Sequence, residues 1–87
     1  MRFKNDEYLI FQNKLNQFLK EKREKKGLSS YKLAKELGIT QSTYFMYETR
    51  SLPPINMLIK LMNVLDFTFE DVKKIYEETI EKLKESE

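Results

Sequence analysis

The chain has 87 residues, 34% of them charged, a net charge of +2, and neither cysteine nor histidine. A chain this short holds one modest core, and the missing residue types exclude thiol nucleophiles, imidazole bases, zinc fingers and disulfide frameworks. Its two glycines, Gly27 and Gly38, lie too far apart for a phosphate-cradling loop, and the longest apolar runs, Tyr8 to Phe11 and Tyr44 to Tyr47, are far short of a membrane span.

Tyr8, Phe11, Leu15, Phe18 and Leu19 recur at helical spacing and predict a first helix from about Asp6 to Lys26. Gly27 supplies its left-handed stop, and Lys25 and Lys26 sit at the negative end of its dipole. Ser29 or Ser30 then caps a second helix with Tyr31, Leu33, Ala34 and Leu37 as its apolar positions, ending at Gly38. Thr40 is placed to cap a third helix that starts at Gln41; Tyr44, Tyr47 and Glu48 share its inner face, and Ser42, Phe45 and Met46 point away. Pro54 precedes a fourth helix carrying Ile55, Leu58, Ile59, Met62 and Leu65. Thr68 with Asp71 resembles a capping box for a fifth, from Phe69 to about Ser86, with Phe69, Val72, Tyr76, Ile80 and Leu83 as its stripe. The expected fold is all-α, a single domain of five helices over residues 1–87.

Charge is distributed unevenly. Between Lys14 and Lys35, eight bases face two acids, a local charge of +6; from Asp66 to Glu87, eight acids face four lysines, giving −4. Such a gradient suits a polyanion met by one face, although solvated helix surfaces produce it as well. Glu77, Glu78 and Glu81 lie on a helix charged throughout and read as solvated, with no metal and no cofactor expected. The first seven residues lack the apolar stretch of a signal peptide, so a soluble, cytoplasmic protein is expected.

The informative stretch is Ser29 to Tyr44: a short helix, a tight glycine turn, then a second short helix opened by a threonine cap. A small residue at Ala34 lets the two helices approach, and Gly38 takes a backbone conformation that bulkier residues resist. Ile39 plugs the angle between them. A second helix so placed can project its N-terminal side chains into a DNA major groove.

From Phe18 to Asp71 the sequence resembles the Cro and phage-repressor type of helix-turn-helix regulators, the XRE-like or lambda-repressor-like group. The resemblance rests on Arg23 four residues before Gly27, Leu33-Ala34, Gly38-Ile39-Thr40, Glu48, Pro54, the Leu61 to Leu65 segment, and Phe69 to Asp71. It implies a lambda-repressor-like bundle with extended first and last helices, binding double-stranded DNA as a transcriptional regulator, a repressor and a homodimer, without catalysis. It also implies an ion pair between Arg23 and Glu48, and base-reading positions at Gln41, Ser42, Phe45 and Met46. Phosphate contacts fall on Ser30, Lys32, Lys35, Thr40, Thr43, Arg50 and Asn56. Two departures stand out: Arg50 replaces a frequent glycine, and Ser30 replaces a phosphate-binding glutamine. Phe45 and Met46 are apolar where the family is often polar, and suit thymine methyls or a protein surface. The fifth helix either closes the core or supplies a dimer interface. An antitoxin or co-regulator role centred on a protein partner, and the DNA-binding module of a longer sensing regulator, are the alternatives.

Overall fold

The structure, a computed structural model, describes residues 4–86. Five helices follow one another: α1 (Lys4–Lys25), α2 (Ser30–Leu37), α3 (Gln41–Thr49), α4 (Ile55–Leu65) and α5 (Phe69–Ser86), with no strand among the described residues. The all-α, five-helix expectation is met. Leu19, Leu33, Tyr44, Leu61 and Leu65 form the fully buried centre, one contribution from each of the first three helices and two from α4. Helix α1 packs on both α3 and α5, while α2 packs on α3 and α4.

Helix ends are set by local chemistry. After α1, Gly27 N–H donates to Glu24 O and Leu28 N–H to Arg23 O, with Gly27 at φ 73°. The same pattern closes α2: Gly38 N–H bonds Lys35 O, Ile39 N–H bonds Ala34 O, and Gly38 sits at φ 76°. Both are two-bond left-handed caps that satisfy last-turn carbonyls. Ser29, not Ser30, caps α2, its side chain accepting from Lys32 N–H. Thr40 caps α3 through Thr43 N–H, as its position predicts. At α5 only half of the expected box forms. Asp71 accepts from Thr68 N–H at 2.9 Å, but the Thr68 hydroxyl also turns toward that carboxylate at 3.3 Å. The Thr68 backbone bond is the main reason that the Asp71 carboxyl is held below its usual range.

The apolar stripes need correction. Tyr8, Tyr31, Ile55, Ile59, Phe69 and Tyr76 are exposed, whereas Gln12, Asn16 and Thr79 are buried. On α4 the buried face runs through Met57, Leu58, Leu61 and Leu65, rotated from the expected stripe. On α5 it is centred on Ile75 and Thr79, whose hydroxyl bonds Ile75 O and so needs no outside partner. Spacing identifies a helix; which arc it buries depends on neighbours that spacing does not contain.

Gly38 tests the turn between α2 and α3 in isolation. A Cβ added there meets nothing within 4 Å, so only the left-handed backbone opposes it. Gly38→Ala should cost about 1 kcal/mol. Thermal unfolding should show a Tm lower by roughly 4–8 °C, with the helical content of the folded state unchanged.

Candidate nucleic-acid interface

The turn brings the N-termini of α2 and α3 to the same edge. There the Gln41 side-chain N–H2 donates to the Ser30 hydroxyl at 2.8 Å, joining the first residues of the two helices. The Thr40 hydroxyl accepts from Thr43 N–H and lies 2.9 Å from the Thr43 hydroxyl. Gln41, Ser42, Phe45 and Thr49 form an exposed strip along α3, with Phe45 54% exposed. Met46 departs from expectation. It is half-buried, and its main-chain oxygen accepts from both the N–H and the hydroxyl of Ser51 where the chain leaves α3.

The inner face of α3 is held by charge. Arg23 Nε donates to Glu48 Oε2 at 2.7 Å and Nη2 to Oε1 at 3.1 Å, a two-pronged pair with side chains only 13% and 6% exposed. Arg23 Nη1 also donates to Leu28 O, tying in the α1–α2 turn. The Tyr44 hydroxyl donates to the same Glu48 carboxylate. The hydrogen bond to Glu48 raises the Arg23 guanidinium pKa, and burial, reinforced by Glu48, drives the Tyr44 phenol far above its usual value. The sequence-predicted pair therefore forms, as part of a triad.

Two further ties were not expected. Asn16 Nδ2 donates to Tyr47 O at 2.7 Å and to Ser51 O at 2.9 Å, and Gln12 Nε2 donates to Arg50 O at 3.0 Å. These amides, one turn apart on α1, bind carbonyls at the C-terminal end of α3. Arg50 explains the need. It lies at φ −154° with its own N–H bonded to Met46 O, so it makes no left-handed cap where a glycine often would. The signal was in the sequence: two amides four residues apart interrupt the apolar face of α1.

A family model described as helix-turn-helix matches residues 19–72, well over half of the chain. The chain belongs to this family. No curated protein and no solved structure matches it. As a lambda-repressor-like helix-turn-helix protein it is a DNA-binding transcription regulator, and no described helix is long and apolar enough to cross a membrane.

In this helix-turn-helix, α2 and the loop after α3 supply the positive charge. Lys32, Lys35 and Arg50 are exposed, and none is in an ion pair among the described residues. The Lys35 ammonium stands 5.9 Å from the Tyr31 ring centre, which helps to explain an exposed tyrosine there. Asn56 is exposed in the first turn of α4, where Pro54 provides no side-chain cap. By contrast, Lys26 lies 4.0 Å from Asp66, and Lys14 3.8 Å from Glu78, so part of the +6 stretch is neutralised locally.

Asn16→Ala strands two carbonyls at the end of α3 and should cost about 2 kcal/mol. Hydrogen exchange should speed up at the α3 C-terminus more than in α4; uniform change along the chain would show that the amide acts only on global stability. Tyr44 gives a pH test. Its folded pKa is raised, so its contribution is whole below about pH 10, the unfolded-chain value, and is lost as pH rises beyond that. Tyr44→Phe should flatten the alkaline fall of Tm; parallel wild-type and variant profiles would show that Tyr44 is not linked to folding.

Proposed function

We propose that α3 enters the major groove of double-stranded DNA and reads base edges with Gln41, Ser42, Phe45 and Met46. Gln41 carries the reading. The bond to Ser30 uses one amide hydrogen and fixes the side chain, leaving its carbonyl oxygen and second hydrogen free. Those are the two groups that adenine engages together, its N6–H donating to the carbonyl oxygen and its N7 accepting from the amide hydrogen. Phe45, the most prominent apolar group on the strip, meets a thymine methyl, and half-buried Met46 contributes at the edge of the contact.

The sugar-phosphate backbone is met by Ser30, Lys32, Lys35, Thr40, Thr43, Arg50 and Asn56. Ser30, Lys32, Thr40, Thr43 and Asn56 lie at or within the first turns of α2, α3 and α4, where helix dipoles also favour anions, and Lys35 and Arg50 add positive charge at the far ends of α2 and α3. They set register and affinity; the strip on α3 sets sequence preference. Two copies then occupy paired half-sites about 34–36 Å apart, and the bound pair represses by covering the site. The exposure of Phe45 also favours a second reading, a protein partner seated on α3, as in an antitoxin or co-regulator.

Selection of bound duplexes from a random pool separates the two readings. Expected is a defined site, with affinity falling steeply as salt rises. Gln41→Ala should relax preference at one base position by about 1–3 kcal/mol. Lys35→Ala should weaken all sequences alike and reduce the salt slope by about 0.9. No enriched site at low salt, or an unchanged site with Gln41→Ala, overturns reading by α3.

A further inference from the structure

The family match covers residues 19–72, so most of α1 and the part of α5 beyond Val72 lie outside the helix-turn-helix module. The two helices pack on each other and leave an open groove of about 540 Å3, lined by Tyr8 and Phe11 from α1 and by Phe69, Val72 and Tyr76 from α5. Phe11 and Val72 reach the core cluster, while the rings of Tyr8, Phe69 and Tyr76 stay about half exposed. Contiguous exposed apolar surface of this kind marks a place where something binds. Two charged residues flank it. The Tyr76 hydroxyl donates to the Glu7 carboxylate, a bond between the two walls that also raises the Tyr76 phenol above its ordinary value. Glu7 is thereby committed within the chain. Lys73 is exposed and in no ion pair among the described residues, so its ammonium is the charge that the groove offers to an occupant.

The dimensions choose the class of occupant. Three half-exposed rings provide roughly 300 Å2, well short of the ~800 Å2 per partner of a standard protein interface. A volume of about 540 Å3 falls instead in the roughly 300–1,000 Å3 range of small-molecule sites, which are likewise mostly apolar with few polar groups. One ammonium matches one negative charge, and Glu70 and Glu77, three and four residues from Lys73 on α5, disfavour a dianion such as a phosphate monoester. We propose that the α1–α5 groove binds a small amphiphilic monocarboxylate, its apolar body among Tyr8, Phe11, Phe69, Val72 and Tyr76 and its carboxylate on Lys73. The site goes beyond the DNA reading and does not depend on it. Phe11 lines the groove and its neighbour Gln12 holds Arg50 O, so the occupant lies one residue along α1 from a contact that fixes the end of α3.

Titration of the isotope-labelled full chain with decanoate, followed by amide chemical shifts, tests this. A saturable one-to-one isotherm is expected, with a Kd between roughly 10 µM and 1 mM. The largest shifts should fall at Tyr8, Phe11, Val72, Lys73 and Tyr76. Decanol, the same chain without the charge, should bind about two- to fivefold more weakly. Lys73→Gln should lower decanoate to the affinity of decanol and leave decanol unchanged. Lys73→Glu should reverse the preference, so that decyltrimethylammonium binds more tightly than decanoate. Tyr8→Glu, at a half-exposed position, should weaken decanoate at least about tenfold at unchanged helical content. No saturable shift up to about 5 mM decanoate, shifts centred elsewhere, or binding indifferent to both Lys73→Glu and Tyr8→Glu overturns the proposal. So does a shift of the groove amides on dilution without decanoate, which gives the groove to a second copy of the chain.

Discussion

The position of α3 depends first on one guanidinium. Arg23 spends its planar fork on both oxygens of Glu48 and its remaining nitrogen on Leu28 O, so one side chain fixes α3 and the α1–α2 turn against the end of α1. A lysine cannot replace it, since a single ammonium offers no fork and cannot span the three acceptors with fixed direction. The pair is nearly buried, and desolvation offsets much of its attraction. What it contributes is geometry: the Tyr44 hydroxyl completes the carboxylate's partners and leaves Glu48 one well-satisfied orientation. With the inner face of α3 so fixed, the outer face is fixed as well, and that face carries Gln41 and Phe45.

A helix pinned at one point can still pivot. The second constraint is the pair of amides on α1, which hold the carbonyls of Tyr47, Arg50 and Ser51. Helix α1 therefore grips α3 at Glu48 from one end of its length and at the α3 exit from its middle, while the Ser30 to Gln41 bond closes the N-terminal side. This explains how the chain accommodates Arg50 in place of glycine. Tyr47 O, which a left-handed cap at position 50 would satisfy, is met by Asn16 from a neighbouring helix, and position 50 carries an exposed positive charge beside α3.

Much of this was legible in the sequence, and the rest was hidden for physical reasons. Gly27 and Gly38 mark helix stops because few other residues tolerate their backbone, so both turns and the register of α2 and α3 could be read directly. Arg23 and Glu48 were legible only through the family resemblance, since two charges 25 residues apart carry no pairing signal of their own. Gln12 and Asn16 were missed because polarity normally marks a solvent face; their partners are backbone carbonyls, which leave no trace in sequence. Ile55 and Ile59 were misplaced for the converse reason. An apolar residue at helical spacing fits the core face or its edge equally, and the packing of α4 chose the arc through Met57 and Leu61.

The charge gradient acquires a mechanical meaning from this architecture. Lys26 and Lys14 discharge part of the basic stretch onto Asp66 and Glu78, while Lys20 and Lys25 on α1 and Lys32 and Lys35 on α2 stay exposed and outside the ion pairs of the described residues. The field seen by DNA thus orients the molecule more sharply than a net charge of +2 suggests. The acidic helix α5 packs on α1, whereas the helix-turn-helix is closed by α2 on α3.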